Sequence, residues 1–468
     1  MVRRYASNSK RRTVTYDSLR KTADSGVTCD TASIGNPAQS WEPFQFAFPA
    51  VNFNSVANLS KSSRVTEGVR GGIVATGPVP LSLKRELWVV QGGPLDRLQL
   101  RLGLIKLQRP MILRRALIFA LIAWMPLLIL SALQGTLITN ARVPSLYDPS
   151  AHIRFLLSVP LLIVAEIVIG PRIVAAASHF ITSGLIPVEK YQDFDAAVAE
   201  GLRLRDSTVA EVAILAITYV GAFVAITFLS ANVSSWQLFV SESGHRFTLA
   251  GYWYALVSIP IYQFLVYRWL WRTFIWCKFL RRVSKLDLQL IPTHPDQAGG
   301  LGFLGETHRL FSIFIFAYAA TASAVAIREV LFDKVPIQTY KIPVVALIVI
   351  MLLFFLGPLF MFAPVLMRTR RKGLHEYSTL ACKLGRLYDQ KWVKGVTPGS
   401  ESFLSTPDNT SLANYSRDYE LVDRMRIFPF DPRTAGALAV AGLLPMVPLL
   451  ATVMPMAEIL KLVLRAMG

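Results

Sequence analysis

Long uncharged apolar runs recur along this chain and alternate with polar loops. The clearest run extends from Ala116 to Gln134 and contains no ionisable residue. A transmembrane helix needs about 20 consecutive apolar residues, because each residue adds about 1.5 Å towards a hydrocarbon core about 30 Å thick. Runs of this kind predict six or seven spans, at 114–136, 154–176, 209–230, 252–274, 310–327, 343–366 and 435–456.

The predicted fold is therefore all-α, a polytopic membrane helix bundle with cytoplasmic helical loops. Five regions follow from the pattern. They are a disordered basic tail (1–85), an interfacial amphipathic helix (86–110), a six-helix membrane domain (111–372), a cytoplasmic subdomain (373–432) and a C-terminal segment (433–468). The C-terminal run contains Pro445, Pro448 and Pro455, so it fits either a kinked seventh span or a hairpin that breaks at the first two prolines.

Composition agrees with a membrane protein. The 468 residues are 53% hydrophobic and 17% charged, whereas soluble domains carry about 25% charged residues.

Residues 1–85 contain twelve Lys and Arg against five Asp and Glu, and they lack the apolar run of a secretory signal. An alternative is that translation starts near residues 81–90 and that the tail is not made. Cys29, Cys277 and Cys382 form no CxxC pair and predict no disulfide or redox site.

The net charge of +19 is concentrated in alternate loops. Lys and Arg cluster before the first span and after the second, fourth and sixth, so the positive-inside rule predicts a cytoplasmic N-terminus. Expected partners are the lipid bilayer, anionic lipid headgroups and further copies of the chain. No nucleic-acid partner and no cofactor are expected, because basic and aromatic residues do not interleave and no binding motif occurs.

Few charged residues interrupt the predicted spans. Glu166 lies deep in the second span, where a carboxylate is costly and should face the bundle interior or water. It is the candidate ion- or proton-binding residue; the alternative is a hydrogen-bonded glutamate that ties helices together. Glu211 is interpreted as part of a capping box with Thr208. Arg268 is interpreted as reaching the headgroups from an aromatic belt that includes Trp269.

One loop is dense in chemically active residues. His294, Asp296, Glu306 and His308 are potential metal ligands, and Gly299 and Gly300 would let backbone N–H groups approach an anion. The alternative interpretation is a helix start with glycines that allow close packing. The chain contains no GxxxxGK[ST], GxSxG or HExxH motif.

Three stretches resemble a family of uncharacterised bacterial polytopic inner-membrane proteins. They read GGPLDRLQLRLGL, THPDQAGGLGFL and RIFPFDPRTAGALAVAGLLPMVPLL, and the resemblance covers about residues 88–468. It implies a bacterial inner-membrane protein and assigns no activity and no functional residue.

Three hypotheses of function remain. The first is a transporter or channel for a small solute or ion that uses Glu166. The second is a non-enzymatic scaffold or sensor that acts through loops 277–309 and 373–432. The third is a membrane-embedded enzyme that uses His294, Asp296 and His308, which is the least favoured, so the chain is not expected to be an enzyme.

Overall fold

The computed structural model describes residues 86–90, 92–94, 96–97, 112–139, 141–229, 236–241, 244–395 and 407–451. The predicted disordered tail, 1–85, lies outside these ranges, as do most of the predicted interfacial helix and the last residues of the C-terminal segment. Within the described part, six helices are long and apolar enough to cross a membrane. The predicted all-α polytopic bundle is thus confirmed.

The helices follow in chain order. They are α1 (Ile112–Leu133), α2 (Pro149–Thr182), α3 (Tyr191–Arg205), α4 (Thr208–Leu229), α5 (Leu249–Val283), α6 (Phe303–Phe332), α7 (Ile337–Val393), α8 (Pro407–Asp423) and α9 (Pro432–Leu450). The six candidate spans are α1, α2, α5, α6, α7 and α9. A seventh candidate joins Val188–Arg205 to Thr208–Val224 through a bend of 46°.

The two ends of the bundle differ. We call the end where α1 begins and α2 and α5 finish the basic end. The opposite end carries a short antiparallel hairpin, β1 (Leu238–Ser241) with β2 (Gly244–Phe247), in which Leu238 lies opposite Phe247. We call it the hairpin end. It is closed by Trp236, whose indole donates to the Asp148 carboxylate at 2.9 Å.

Helices α2 and α5 have the same order of local features, and the equivalent Ser-x-Pro residues are 100 positions apart in the sequence. Each begins at a capped turn, widens into a π-helical segment (Ile153–Ser158 and Tyr254–Ser258) and continues through a Ser-x-Pro sequence. The prolines cause the widening, because proline lacks an N–H and its ring clashes with the carbonyl four residues earlier. Apolar helices α1 and α4 precede them, so two helix pairs form a repeat whose members run in the same direction.

The serines of this repeat connect separate helices. Ser158 Oγ donates to the Ala317 carbonyl of α6, and Ser258 Oγ donates to the Ala123 carbonyl of α1, each at 2.7 Å. Both serines are fully buried. Each hydroxyl therefore satisfies a carbonyl in a neighbouring span instead of one in its own broken helix.

The C-terminal run continues as a helix through two of its prolines. Asp431 caps α9 by accepting from Thr434 N at 3.0 Å, and proline occupies the first turn. A short 3₁₀ segment, Leu444–Met446, absorbs Pro445, and the helix resumes at Val447. As far as Ala451, the last described residue, the chain continues as one kinked helix through Pro445 and Pro448.

The two ends of the bundle should face opposite sides of the membrane. Thr139, in the α1–α2 loop, and Cys382, on the part of α7 beyond the basic end, are both exposed. Two single-cysteine variants are compared, one with Thr139→Cys and one that keeps Cys382, with all other cysteines replaced. An impermeant maleimide should label only one of the two variants in sealed cells and both after permeabilisation. Labelling of both positions in sealed cells would contradict this topology.

Candidate functional site

Glu166 lies in a cluster of five buried charged residues near the basic end of the bundle. We call it the arginine–carboxylate cluster: Asp96, Arg115, Glu166, Arg268 and Arg272, each between 4% and 8% exposed. Three helices supply four of its members: Arg115 comes from α1, Glu166 from α2, and Arg268 and Arg272 from α5, while Asp96 precedes α1. The two α5 arginines are four residues apart and therefore share one face of the helix.

The Glu166 carboxylate binds two guanidinium groups at once. Arg115 Nη2 donates to Oε2, and Arg272 Nη1 donates to Oε1 at 2.8 Å. Arg268 Nη1 lies 3.7 Å from Oε1. Glu166 therefore ties α1, α2 and α5 together, which is the structural interpretation left open by the sequence. An ion- or proton-binding role for Glu166 stays a prediction.

The described residues of a segment N-terminal to α1 (86–90, 92–94 and 96–97), which we call the N-terminal strap, cover the cluster. Arg268 Nη2 binds the Asp96 carboxylate at 2.7 Å, and Arg272 Nη2 donates to the Val90 carbonyl at 2.6 Å. Leu87 is 1% exposed. This part of the predicted interfacial helix is inserted into the bundle, while residues 98–111 lie outside the described ranges.

Three interpretations of charged and aromatic residues were wrong. Arg268 is 5% exposed and binds Asp96 in the interior, so it does not reach the headgroups. Trp269 is 1% exposed and donates to the Leu162 carbonyl at 2.8 Å, so it belongs to the core and not to an aromatic belt. The cap of α4 is Ser207, whose Oγ accepts from Ala210 N at 3.3 Å, one residue before the predicted Thr208.

Asp296 organises the glycine-rich loop. Its Oδ1 accepts from the backbone N–H groups of Ala298 (2.8 Å) and Gly300 (3.1 Å), and its Oδ2 accepts from Gly302 N (2.7 Å). Gly299 and Gly300 have φ of 64° and 95°, which favour glycine. Burial alone would raise the pKa of Asp296, but these three N–H donors hold it below the ordinary carboxyl value.

The other loop candidates have separate surroundings. His294 Nδ1 lies 2.8 Å from Asp296 Oδ1, and Glu306 forms a surface pair with Arg309 at 2.9 Å. His308 is fully buried, accepting from the Trp276 indole at 3.0 Å and contacting the Phe355 carbonyl at 2.6 Å. Among the described residues, no three His, Cys, Asp or Glu side chains are placed to hold a metal ion.

A second polar site lies nearer the hairpin end, in a cavity of about 380 Å³ between α2, α5, α6 and α7. We call it the tyrosine cavity. Its polar lining consists of Arg154, Tyr262, Tyr318, Thr321 and Tyr340. Valine, leucine and methionine side chains form much of the remaining wall, among them one from α9.

Arg154 is the charged residue of this cavity. Its guanidinium donates to the Tyr254 hydroxyl and lies 5.6 Å from the ring centre of Tyr262. In the described part of the chain no carboxylate comes within 4.0 Å of it, and its Nε has no hydrogen-bond partner. The nearby Asp148 carboxylate already accepts from Ser150 and Trp236.

Sequence reasoning identified Glu166 but not its partners or Arg154. Arg115 flanks the first run and looked like a topology signal, and Asp96 stands in a polar segment. Arg154 sits at the edge of the predicted second span, where arginine usually reaches the headgroups. Arg154 instead lies in the π-helical segment and lines the tyrosine cavity, and its only sequence signal is the Ser-x-Pro that follows four residues later.

Removing the Glu166 charge should destabilise the bundle. Glu166→Gln keeps the side-chain shape but leaves buried guanidinium groups without their shared anion, so the free energy of unfolding should fall by about 3–5 kcal/mol. Thermal unfolding in detergent measures this. The control is Glu306→Gln, an exposed pair expected to cost under about 1 kcal/mol. Equal melting temperatures for the two variants would show that the cluster does not hold the helices.

Removing the Asp296 carboxylate should destabilise the loop. Asp296→Ala leaves three backbone N–H groups without their acceptor, at a cost of about 1–3 kcal/mol. Because the folded pKa of Asp296 is lowered, its contribution is complete above the ordinary carboxyl pKa and is lost as the pH falls through the lower folded pKa. The melting-temperature gap from wild type should be full at pH 7 and shrink on acidification. A pH-independent gap would contradict the role of the ionised carboxylate.

Comparison with known proteins adds no relative. No protein-family model, no curated protein and no solved structure matches this chain. The resemblance to uncharacterised bacterial inner-membrane proteins therefore stays a prediction. The structure supports a multi-pass membrane protein with one buried charged cluster and one polar cavity.

Proposed function

We propose that this protein is a transporter for a small anionic solute, and that the tyrosine cavity is its binding site. The observation that carries the proposal is Arg154, a cation inside the helix bundle with no carboxylate within 4.0 Å among the described residues. Charged groups in membrane interiors are costly and typically mark substrate pathways. An anion would neutralise the guanidinium and occupy its unpaired Nε.

The size and lining of the cavity narrow the solute. A volume of about 380 Å³ is at the lower end of ligand pockets, which measure about 300–1,000 Å³. Arginine forms two parallel hydrogen bonds with planar carboxylates and with phosphates. The tyrosine rings and apolar walls accommodate a compact organic body. A small carboxylate or phosphate compound fits these properties best.

The helices around the cavity are interrupted, as in many transporters. The π-helical segments of α2 and α5 lie beside Arg154, and α7 changes to a 3₁₀ segment at Gly357–Phe362. Nothing lies within 4 Å of the position that a Cβ would take at Gly357. Such breaks are places where a span can bend, which supports alternating exposure of the cavity. The arginine–carboxylate cluster and the N-terminal strap fill the bundle at the basic end.

Arg154→Gln should weaken anion binding while leaving the fold intact. Thermal shifts of the detergent-purified protein would be measured with phosphate, sulfate and benzoate, each against chloride at equal ionic strength. Loss of one charge-assisted contact, about 1.5–3 kcal/mol, corresponds to affinity about 10- to 150-fold weaker. Arg172→Gln is the matched control, because Arg172 lies on the same helix and is exposed.

Uptake into proteoliposomes then tests transport itself. The anion that stabilises the protein should accumulate with wild type and Arg172→Gln, at a rate at least about tenfold above that of Arg154→Gln. Equal binding by wild type and Arg154→Gln would exclude the tyrosine cavity. If none of the three anions binds, the transporter proposal fails and the scaffold-or-sensor hypothesis, which needs no solute site, is favoured.

A further inference from the structure

The tyrosine cavity has a carboxylate beside its wall as well as a guanidinium. Glu329 lies on α6, four residues after Val325, which lines the cavity, and residues four apart share one face of a helix. The Glu329 carboxylate accepts a hydrogen bond from the hydroxyl of Tyr340, which also lines the cavity. A phenolic oxygen backed by a negative charge therefore forms part of the cavity wall.

Glu329 has no cationic partner in the part of the chain that the structure describes. No Lys, Arg or His nitrogen there comes within 4.0 Å of its carboxylate, although Arg328, Lys334 and Lys341 are close in sequence. The residue is partly buried, so its charge is screened less than that of a surface carboxylate. One cavity thus has a cation, Arg154, and an anion, Glu329, neither of which forms an ion pair among the described residues.

The two charged residues leave different hydrogen-bonding groups for a solute. The Arg154 guanidinium has donors only. The Tyr340 hydroxyl gives its single proton to Glu329, so its remaining lone pairs can only accept a hydrogen bond from a solute. No hydrogen bond or ion pair of the described residues joins Arg154 to Tyr340. The cavity therefore has separate donor and acceptor sites, the first positive and the second negative.

The tyrosine rings of the wall also favour a cationic group. The face of a tyrosine ring attracts cations through its quadrupole. The rings of Tyr254 and Tyr262 already interact with the Arg154 guanidinium, whose centre lies 6.0 Å and 5.6 Å from their centroids. Tyr318 and Tyr340 line the same cavity and have no such contact with a described lysine or arginine. Their rings are available to an ammonium group of the solute.

We propose that the solute of the tyrosine cavity is a small zwitterionic amino carboxylic acid. Its carboxylate binds Arg154, and its ammonium group donates to the Tyr340 oxygen and is attracted by Glu329. This inference rests on the proposed function, because it uses the same cavity and gives Arg154 the same role. It narrows the solute to one class, since a simple carboxylate or a phosphate would leave Glu329 without a cation and a dicarboxylate would be repelled by it.

Matched pairs of ligands test the position of the ammonium group. Thermal shifts of the full-length protein in detergent would be titrated with butanoate, pentanoate and hexanoate, and with the same three acids carrying a terminal amino group. At one chain length or more, the amino acid should bind at least about tenfold more tightly than the plain acid, because it adds a charge-assisted hydrogen bond. Glutarate, which carries a second carboxylate instead, should bind more weakly than pentanoate.

Glu329→Gln should remove the preference for the amino acid and leave the plain acids bound as in wild type. The amide still accepts from the Tyr340 hydroxyl, so the variant loses only the charge. Tyr340→Phe is a second variant, and it should lower the preference because the acceptor oxygen is gone. The matched control is Glu306→Gln on the same helix, since Glu306 is exposed, pairs with Arg309 and does not line the cavity.

The outcomes separate this inference from the proposed function. If the plain acids bind through Arg154 and the amino group adds nothing, the amino-acid inference is overturned and the anion site stands. A gain that survives both Glu329→Gln and Tyr340→Phe overturns it as well. A contact that only holds the turn between α6 and α7 would lower the melting temperature of Glu329→Gln without changing the ligand preference, which also overturns it. If no acid and no amino acid binds to wild type, the proposed transport function fails together with this inference.

Discussion

The bundle depends on one interaction, the shared contact of the Glu166 carboxylate with arginines from two other helices. Arg115 and Arg272 each donate to one of its oxygens, so α1, α2 and α5 meet at a single buried point. Lipid offers no hydrophobic drive for helix association, since its chains are as apolar as leucine, and polar contacts and close packing must supply specificity. The arginines also hold the N-terminal strap, through Asp96 and the Val90 carbonyl.

The same cluster divides the polar chemistry of the bundle in two. Near the basic end every member of the cluster has an oppositely charged neighbour, so the cluster is suited to holding helices together. Nearer the hairpin end, Arg154 faces a cavity and tyrosine rings, and no carboxylate of the described residues lies within 4.0 Å of it. Twelve residues of α2, about 18 Å, separate Glu166 from Arg154. This contrast, between a cluster whose charges are all paired and an arginine without a carboxylate partner, is the ground on which we propose the tyrosine cavity as the ligand site.

Much of the fold follows from local pattern. The length of the apolar runs predicted the spans. The starts of α2 and α9 are also local, because Asp148 and Asp431, each followed by proline, cap the first turn. The residues of the candidate functional site were harder to predict from the sequence than the helices. Glu166 stood out because a carboxylate inside an apolar run is costly wherever it lies. Arg268 and Arg154 did not, because arginine near the end of a run reaches the headgroups in one fold and the interior in another.

The sequence by itself determined that the chain is a bundle of membrane helices, because in lipid the backbone must satisfy its own hydrogen bonds and apolar length alone decides what can span. It also determined the turn around Asp296, whose partners lie within six residues. Only the tertiary structure decided which charges pair, since Arg115 and Glu166 are 51 residues apart and Arg268 and Asp96 are 172 apart. The identity of a partner across such separations depends on helix packing and rotation, which no local pattern specifies.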